Sequence, residues 1–201
     1  MMGLSELSMA RIIAIHGWQG SPHRDWFPWL KKNLESKGHN VIVPEMPATQ
    51  HPVIQPWVST LTKITGKLDE NTFLVGHSIG CQTILRFLAK MKTNEKVGGV
   101  ILVAPWTKLK PTSYETPADK AIIQPWLEVP IPWEHAKVRA QKFVCFFSDD
   151  DPFVYVENSK VFKEKLGAEI IIEKNKGHYS EGEGIKEIPS VLKKIESIMK
   201  H

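Results

Sequence analysis

The sequence predicts a three-layer α/β/α fold built on a doubly wound, mostly parallel sheet of about six strands. Six short runs rich in β-branched residues alternate along the chain with longer stretches of helical periodicity. The runs are apolar at nearly every position, as are strands buried on both faces of a parallel sheet. Regular alternation of strand and helix then implies right-handed crossover connections.

The predicted strands stop at residues that interrupt an extended segment. Gly17 follows the first strand, Pro44 closes the second and Gly76 ends the third. The six predicted strands cover residues 11–16, 41–43, 72–76, 97–103, 143–147 and 168–172.

Helical stretches fill the intervals between the strands. Three of them end at a glycine, Gly38, Gly66 or Gly167, and glycine is a common helix stop. The final stretch repeats apolar residues such as Ile188 and Leu192 at helical spacing, so this stripe is expected to face the core. The predicted helices cover residues 26–37, 55–65, 79–91, 156–166 and 183–200.

One segment, residues 107–142, breaks the alternation. It is rich in proline and tryptophan, and a loop of this length in a compact domain is usually functional or carries short helices. We expect it to form an excursion above the edge of the sheet, with a short helix over residues 133–140. The chain is therefore interpreted as one domain over residues 11–201, preceded by a loose leader over residues 1–10.

Composition sets limits on the class of protein. The 201 residues are 42% hydrophobic and 24% charged, as in globular domains, and can bury a core without cross-links. The two cysteines, Cys81 and Cys145, lie in apolar surroundings and are expected to be buried thiols of a cytoplasmic protein. No signal-peptide pattern or long apolar span is present, so no membrane association is expected.

The charge pattern argues against a nucleic-acid partner. The formal net charge is +4, but the lysines are scattered along helical stretches, as at Lys31 and Lys193. No block of five like charges occurs. A solvated surface is the favoured interpretation over a basic binding groove.

The string Gly76-His77-Ser78-Ile79-Gly80 is the strongest chemical signal. This G-x-S-x-G pattern lies between an apolar strand and an amphipathic helix, which is the setting of a nucleophile elbow. Side chains at the two glycine positions would collide with the neighbouring strand or helix in so tight a turn. The alternative is an ordinary glycine-bounded turn with a solvated serine.

A serine nucleophile needs a base, and the base needs an acid to orient it. In this architecture the acid and then the histidine follow later strands. Asp151 follows the fifth predicted strand and precedes a proline, and His178 follows the sixth. We interpret them as acid and base, with Asp150 and, less favoured, Asp149 as alternatives for the acid.

The turn after the first strand is expected to complete the site. His16-Gly17-Trp18 stands where an H-G-x turn supplies an oxyanion amide. The predicted oxyanion hole is therefore formed by the backbone N–H groups of Trp18 and Ile79. The alternative is that His16 and Gly17 merely end a strand.

Metal and cofactor sites are poorly supported. Asp149, Asp150 and Asp151 lack the spacing and glycine of a calcium loop. His16, His77 and His178 lack the spacing typical of zinc ligands. We predict neither a metal nor an organic cofactor.

These phrases resemble the small serine hydrolases of the α/β-hydrolase fold that are related to retinoblastoma-binding protein nine. The similarity runs from about Arg11 to the C-terminus and includes the strings at 16–18, 44–47, 76–80, 103–106, 148–153 and 177–178. The resemblance implies a minimal α/β-hydrolase fold without the two antiparallel N-terminal strands of larger relatives. It places the acid on Asp151, directly before Pro152, with Ser78 as nucleophile and His178 as base. A retinoblastoma-type partner is not implied, since an L-x-C-x-E string is absent from the sequence, and the sequence does not identify any other protein partner.

The resulting hypothesis is a serine hydrolase, and specifically a carboxylesterase acting on small acyl esters. Trp18 and Trp106 follow strand ends and, with His16 and His77, are expected to line the substrate pocket. Packing in the core is the alternative for any of the tryptophans. A peptidase or thioesterase on the same fold, or a non-catalytic protein-binding module, are the rival functions.

Overall fold

A six-stranded sheet with the order β2-β1-β3-β4-β5-β6 forms the centre of the computed structural model, which describes residues 9–200. Every neighbouring pair of strands in it is parallel, which confirms the predicted fold class. Most of the predicted leader lies outside the described residues. The strands are β1 (Arg11–Ile15), β2 (Asn40–Ile42), β3 (Thr72–His77), β4 (Gly99–Val103), β5 (Phe143–Ser148) and β6 (Glu169–Glu173).

Seven α-helices are present among these residues, and they cover both faces of the sheet. The helices are α1 (Phe27–Glu35), α2 (Ile54–Thr65), α3 (Ile79–Leu88), α4 (Pro117–Glu128), α5 (Trp133–Lys137), α6 (Asn158–Leu166) and α7 (Pro189–Ile198). Apolar residues of α1 and α7 form one core with one face, and those of α2 to α6 form a second core with the other. All residues of β3, β4 and β5 are buried, as their continuous apolar sequences require.

Several helix ends differ from the prediction by up to three residues, and two helices, α7 and α4, differ more. Helix α7 begins at Pro189 rather than at residue 183, because residues Glu181–Glu183 form a separate 3₁₀ turn. Helix α4 was not predicted within the excursion, since Pro125 lies inside it and argues locally against a helix. Its start does carry a signal: the Thr116 hydroxyl accepts the Asp119 N–H, in a capping box next to a first-turn proline.

The chain order places a crevice at the carboxyl edge of the sheet. Strand β2 lies on one side of β1, whereas β3 and the later strands lie on the other. Ligands of open α/β sheets bind at such a switch point, outside the carboxyl ends of the strands. The loops after β1, β3, β4, β5 and β6 all emerge there. No helix within residues 9–200 is long and apolar enough to cross a bilayer.

Candidate active site

Ser78 occupies a strained turn between β3 and α3. Its backbone has φ 52° and ψ −117°, a conformation that costs a non-glycine residue free energy. The turn is held by a hydrogen bond of 2.9 Å from the Ser78 N–H to the carbonyl oxygen of Val103. Such strain at a residue over-determined by its surroundings is typical of a functional position.

Both glycines of the turn are sterically required, as the sequence predicts. A Cβ atom on Gly76 would lie 2.9 Å from the backbone nitrogen of Cys81. A Cβ atom on Gly80 would lie 2.3 Å from the carbonyl oxygen of Ile15. The first contact allows α3 to turn back along β3, and the second allows α3 to rest directly on the end of β1.

Asp151 and His178 contact each other directly. The carboxylate of Asp151 is 2% exposed, and its Oδ2 lies 2.8 Å from Nδ1 of His178. Its other oxygen accepts the N–H groups of Phe153 at 2.8 Å and Val154 at 2.9 Å. These three donors fix the orientation of the carboxylate.

The neighbouring aspartates are used differently. Oδ1 of Asp150 accepts the Ser148 hydroxyl at 2.6 Å and the Gly177 N–H at 2.9 Å. The hydrogen bond from Ser148, followed by that from Gly177, lowers the pKa of Asp150. Asp149 accepts the Asn175 N–H at 3.0 Å. Both carboxylates thus shape the turn that precedes His178, whereas the imidazole itself is contacted by Asp151.

Tyr179 anchors the loop that carries His178, and this role was not predicted from the sequence. Its side chain is fully buried, and its hydroxyl donates to the carbonyl oxygen of Phe147 at 2.8 Å. Its backbone has a φ of 55°, which points consecutive side chains of the loop in different directions. Tyr179 therefore enters the core while His178 faces the cavity. A tyrosine directly after the candidate histidine is the only local sequence signal of this role.

His77 lies under the imidazole of His178, with the two ring centres 5.0 Å apart. Nε2 of His77 lies 2.7 Å from the carbonyl oxygen of His178, so this nitrogen donates the hydrogen bond. Burial, and then the nearby charge of His178, lowers the pKa of His77 to about 3. His77 is therefore a neutral residue that supports the histidine loop.

The hydroxyl of Ser78 is held by an indole. Nε1 of Trp106 donates to Oγ of Ser78 at 3.4 Å. Residues 9–200 show no Ser78–His178 hydrogen bond, although both side chains line the same cavity. Catalytic hydrogen bonds in substrate-free enzymes are often long and shorten when substrate binds.

Two backbone amides beside Ser78 have no acceptor within the described part of the chain. They are the N–H groups of Trp18 and Ile79, the second at the N-terminus of α3. Gly17 approaches Ser78 closely, since a Cβ atom on it would lie 3.4 Å from Cβ of Ser78. The indole of Trp18 is tied back by a hydrogen bond of 3.0 Å to the carbonyl oxygen of Gln50. The arrangement offers two free donors next to the serine, as an oxyanion hole requires.

His16 is not a pocket residue, which corrects the expectation from the sequence. Its side chain is fully buried and packs edge-on against the rings of Phe27 and Trp57. Nδ1 of His16 lies 2.9 Å from the carbonyl oxygen of Gly17, and Nε2 accepts the Met46 N–H at 3.4 Å. Both ring nitrogens of His16 are thus used in hydrogen bonds, and the imidazole supports the turn that carries Trp18.

A cavity of about 460 Å³ opens over Ser78 and His178. Trp18, His77 and Trp106 line it, whereas Trp26 and Trp126 lie in the core. Helix α4 supplies part of its wall. No three His, Cys, Asp or Glu side chains of residues 9–200 are arranged to hold a metal ion.

Comparison with known proteins relates this chain to hydrolases. A family model described as serine hydrolase matches residues 12–197. The chain is 32% identical to the hydrolase YdeN of Bacillus subtilis over 183 residues, 90% of this chain and 92% of that protein. It is 26% identical to the serine hydrolase RBBP9 of Rattus norvegicus over 175 residues, 85% and 82% of the two chains.

Solved structures show the same architecture. The crystal structure of the B. subtilis ydeN product has a TM-score of 0.87 at 30% identity, over 96% of this chain and all (100%) of that chain. A structure from a study of Nitrososphaera gargenis carboxylesterases has a TM-score of 0.69 at 16% identity, over 97% and 92% of the two chains. At that identity the second likeness shows the fold alone.

Proposed function

Because the chain belongs to the serine hydrolase family, we propose that it is a carboxylesterase that cleaves small acyl esters with Ser78, Asp151 and His178. One observation carries the proposal. His178, whose Nδ1 lies 2.8 Å from Oδ2 of the buried Asp151, lines the same cavity as a serine on a strained strand-to-helix turn. A buried acid, an oriented imidazole and an exposed hydroxyl are what acyl transfer to serine requires.

The first half of the reaction forms an acyl-enzyme. Nε2 of His178 accepts the proton of the Ser78 hydroxyl while Oγ attacks the carbonyl carbon of the ester. The carbonyl oxygen becomes an oxyanion and accepts the N–H groups of Trp18 and Ile79, which are free for this purpose. When the tetrahedral intermediate collapses, the alcohol leaves with the proton from His178.

The second half releases the acid. Water gives a proton to Nε2 of His178 as it attacks the acyl carbonyl, and the same two amides bind the second oxyanion. Collapse returns the proton to Oγ of Ser78. Asp151 keeps Nδ1 of His178 protonated throughout, so that Nε2 is the basic nitrogen.

The cavity favours small acyl groups. Its volume of about 460 Å³ lies in the lower half of the usual range for ligand sites, roughly 300–1,000 Å³. The indole of Trp106 stands directly beside Ser78 and limits the space there. We therefore expect p-nitrophenyl acetate to be hydrolysed with a higher kcat/KM than the octanoate. Much faster turnover of the octanoate would contradict a small acyl pocket.

Covalent labelling tests the proposal most directly. The purified protein is treated with a fluorophosphonate probe, and its intact mass is measured beside that of Ser78→Ala and Ser113→Ala. Ser113 lines the same cavity on an unrelated turn and is the matched control. One adduct on the wild type and on Ser113→Ala, with none on Ser78→Ala, is expected. Folded wild type without an adduct would contradict the proposed nucleophile.

Substrate panels separate esterase activity from related chemistry. Peptidases and thioesterases of this fold transfer acyl groups through the same type of triad. Ester turnover should exceed that of aminoacyl-nitroanilides and acyl-CoA thioesters at equal concentration. A higher kcat/KM on either of the other two classes would replace the ester assignment and retain the nucleophile.

A further inference from the structure

We propose, on the basis of the esterase function inferred above, that the cleft selects substrates that carry a positive charge near the ester, such as an ammonium group. The lining of the cleft includes four carboxylates and one guanidinium. The acids are Asp25, Glu115, Asp119 and Glu181, and the base is Arg24. The whole chain has the opposite sign, with a formal net charge of +4.

The single guanidinium is already neutralised. Nε and one terminal nitrogen of Arg24 both lie 2.7 Å from Oε1 of Glu181. Across the described residues, no lysine or arginine forms an ion pair with Asp25, Glu115 or Asp119. The uncompensated charge of the cleft is therefore negative, and it belongs to those three carboxylates.

Asp25 is the most confined of the three. Its Oδ1 accepts the Glu181 N–H at 2.9 Å, and its own N–H donates to Oε2 of Glu181 at 3.3 Å. Its Oδ2 receives no hydrogen bond from residues 9–200. Burial, and then the Glu181 charge, raises the pKa of Asp25. A half-buried carboxylate with one free oxygen gains most from a cation inside the cavity.

A ligand in this cavity is indicated independently of the acids. Ser78 is held in a strained conformation, and the amides of Trp18 and Ile79 have no acceptor in the described protein. These groups fix where an ester carbonyl reacts. Trp18 and Trp106 are aromatic residues of the cavity lining in the site described above. Aromatic faces and carboxylates together are the groups that bind quaternary ammonium ions.

Two isosteric esters isolate the effect of charge. Acetylcholine and 3,3-dimethylbutyl acetate differ in one atom, a charged nitrogen against a neutral carbon. We expect kcat/KM to be on the order of tenfold higher for acetylcholine at low salt. Because the partners of the cation are partly exposed, this ratio should fall at high ionic strength.

Competition with labelling gives a second readout that does not depend on ester turnover. Choline should slow the fluorophosphonate labelling of Ser78 at lower concentration than its neutral isostere 3,3-dimethylbutanol. The variants Asp25→Asn and Glu115→Gln should each reduce the difference between the two compounds. Glu70→Gln is the matched control, since Glu70 lies before β3 at the opposite edge of the sheet and should change nothing.

The outcomes separate this inference from the esterase function. Labelling of Ser78 with equal protection by choline and its neutral isostere, or a preference for the neutral compounds, overturns the charge selection and leaves the nucleophile in place. No labelling of folded wild type overturns the proposed function itself. A difference that persists undiminished in both Asp25→Asn and Glu115→Gln also overturns the assignment to these carboxylates.

Discussion

Three consecutive aspartates follow β5, and their surroundings give each a separate role. Only Asp151 contacts the imidazole of His178, and it does so from a buried position. Asp150 binds the backbone before His178, and Asp149 binds that of Asn175. The proposal that Asp151 is the acid therefore depends on the direction in which each carboxylate faces, since adjacent residues of a turn face different ways.

Asp151→Asn is expected to reduce kcat by about a thousandfold or more, because the amide supports the wrong tautomer of His178. Asp150→Asn should have a much smaller effect on kcat, through a less ordered turn. Ester hydrolysis under saturating substrate measures both, with Asp149→Asn as the control for the change of charge. A greater loss of kcat in Asp150→Asn than in Asp151→Asn would reverse the assignment.

At the scale of elements, a buried guanidinium on α3 joins that helix to the C-terminal end of α4. Arg86 on α3 is 4% exposed and donates to the carbonyl oxygen of Val129, at the C-terminus of α4, at 2.6 Å. It also donates to Oε1 of Gln82 at 2.6 Å and lies over the ring of Trp126. Burial lowers its pKa to about 10, so it remains charged at neutral pH. Arg86 therefore fixes the helix that forms one wall of the cleft.

Arg86→Met should destabilise the protein by about 2–4 kcal/mol, because it leaves buried acceptors without a donor. It should also raise KM more than it lowers kcat, since the displaced element is a cleft wall and carries no proposed catalytic group. Urea unfolding and steady-state kinetics measure the two effects. Lys90→Met removes an exposed cation near the end of the same helix and is the control; an equal loss of stability there would contradict a special role for Arg86.

The contact between α3 and β1 is a backbone contact. Gly80→Ala would place a methyl group 2.3 Å from the carbonyl oxygen of Ile15, so α3 must move away from β1. We expect a loss of stability of about 3 kcal/mol or more, at the upper end for single substitutions. Urea unfolding of Gly80→Ala beside Gly182→Ala, where the added atom meets only a flexible hydroxyl, checks this. Equal midpoints for the two variants would show that the close approach is not needed.

Much of the fold and site was predictable because both follow from local sequence. Six apolar runs gave the strands, and residues at the ends of parallel strands must meet at one edge. Ser78 and His178 line one cavity for that reason, and Asp151 contacts His178 from a buried position beside it. The position of His16 was not predictable, since packing between Phe27 and Trp57 turns it away from the cavity.

Contacts between residues that are far apart in the chain could not be predicted from the sequence. Arg24 and Glu181 are 157 residues apart, and nothing local to either predicts that they meet across the mouth of the cleft. Helix α4 had a readable start at Thr116, but its interior proline gave the opposite signal locally. Packing against Arg86 and the core stabilises the helix despite the proline. Tertiary packing of this kind leaves no recognisable pattern in the local sequence.

At the scale of the whole molecule, buried neutral histidines make stability depend on pH. The pKa of His77 is about 3 in the folded state, against an ordinary value of 6.5. Burial also lowers the pKa of His16. Below pH 6.5 the unfolded chain binds protons that the folded protein excludes, so the folded state loses stability as the pH falls. The loss of stability that His77 causes reaches its full extent only near pH 3, where the folded protein also binds the proton.

We therefore expect the unfolding free energy to fall by about 1.4 kcal/mol per pH unit for His77 alone between pH 6 and pH 4. His77→Gln, which keeps a donor for the carbonyl oxygen of His178, should show a shallower slope. Urea unfolding at several pH values measures this, with His135→Gln on the exposed side of α5 as the control. The same slope in wild type and His77→Gln would contradict a neutral buried imidazole.

The loops of the sheet and the excursion contribute different parts of the cleft, and this has a consequence for how substrate preference can change between related enzymes. The proposed chemical groups stand on loops after four different strands, β1, β3, β5 and β6, whereas α4 adds only part of the wall, with Asp119 and Ile123. Residues 107–113 are hydrogen-bonded to the loop that carries Asp151. For example, Nζ of Lys110 donates to the carbonyl oxygen of Asp151. The segment from Tyr114 to Val129 therefore contributes part of the cleft wall and no group of the proposed reaction. Substitutions at its cleft-facing positions can change substrate preference while the reaction centre stays the same, provided that the buried Trp126 and the contact between Arg86 and Val129 are kept.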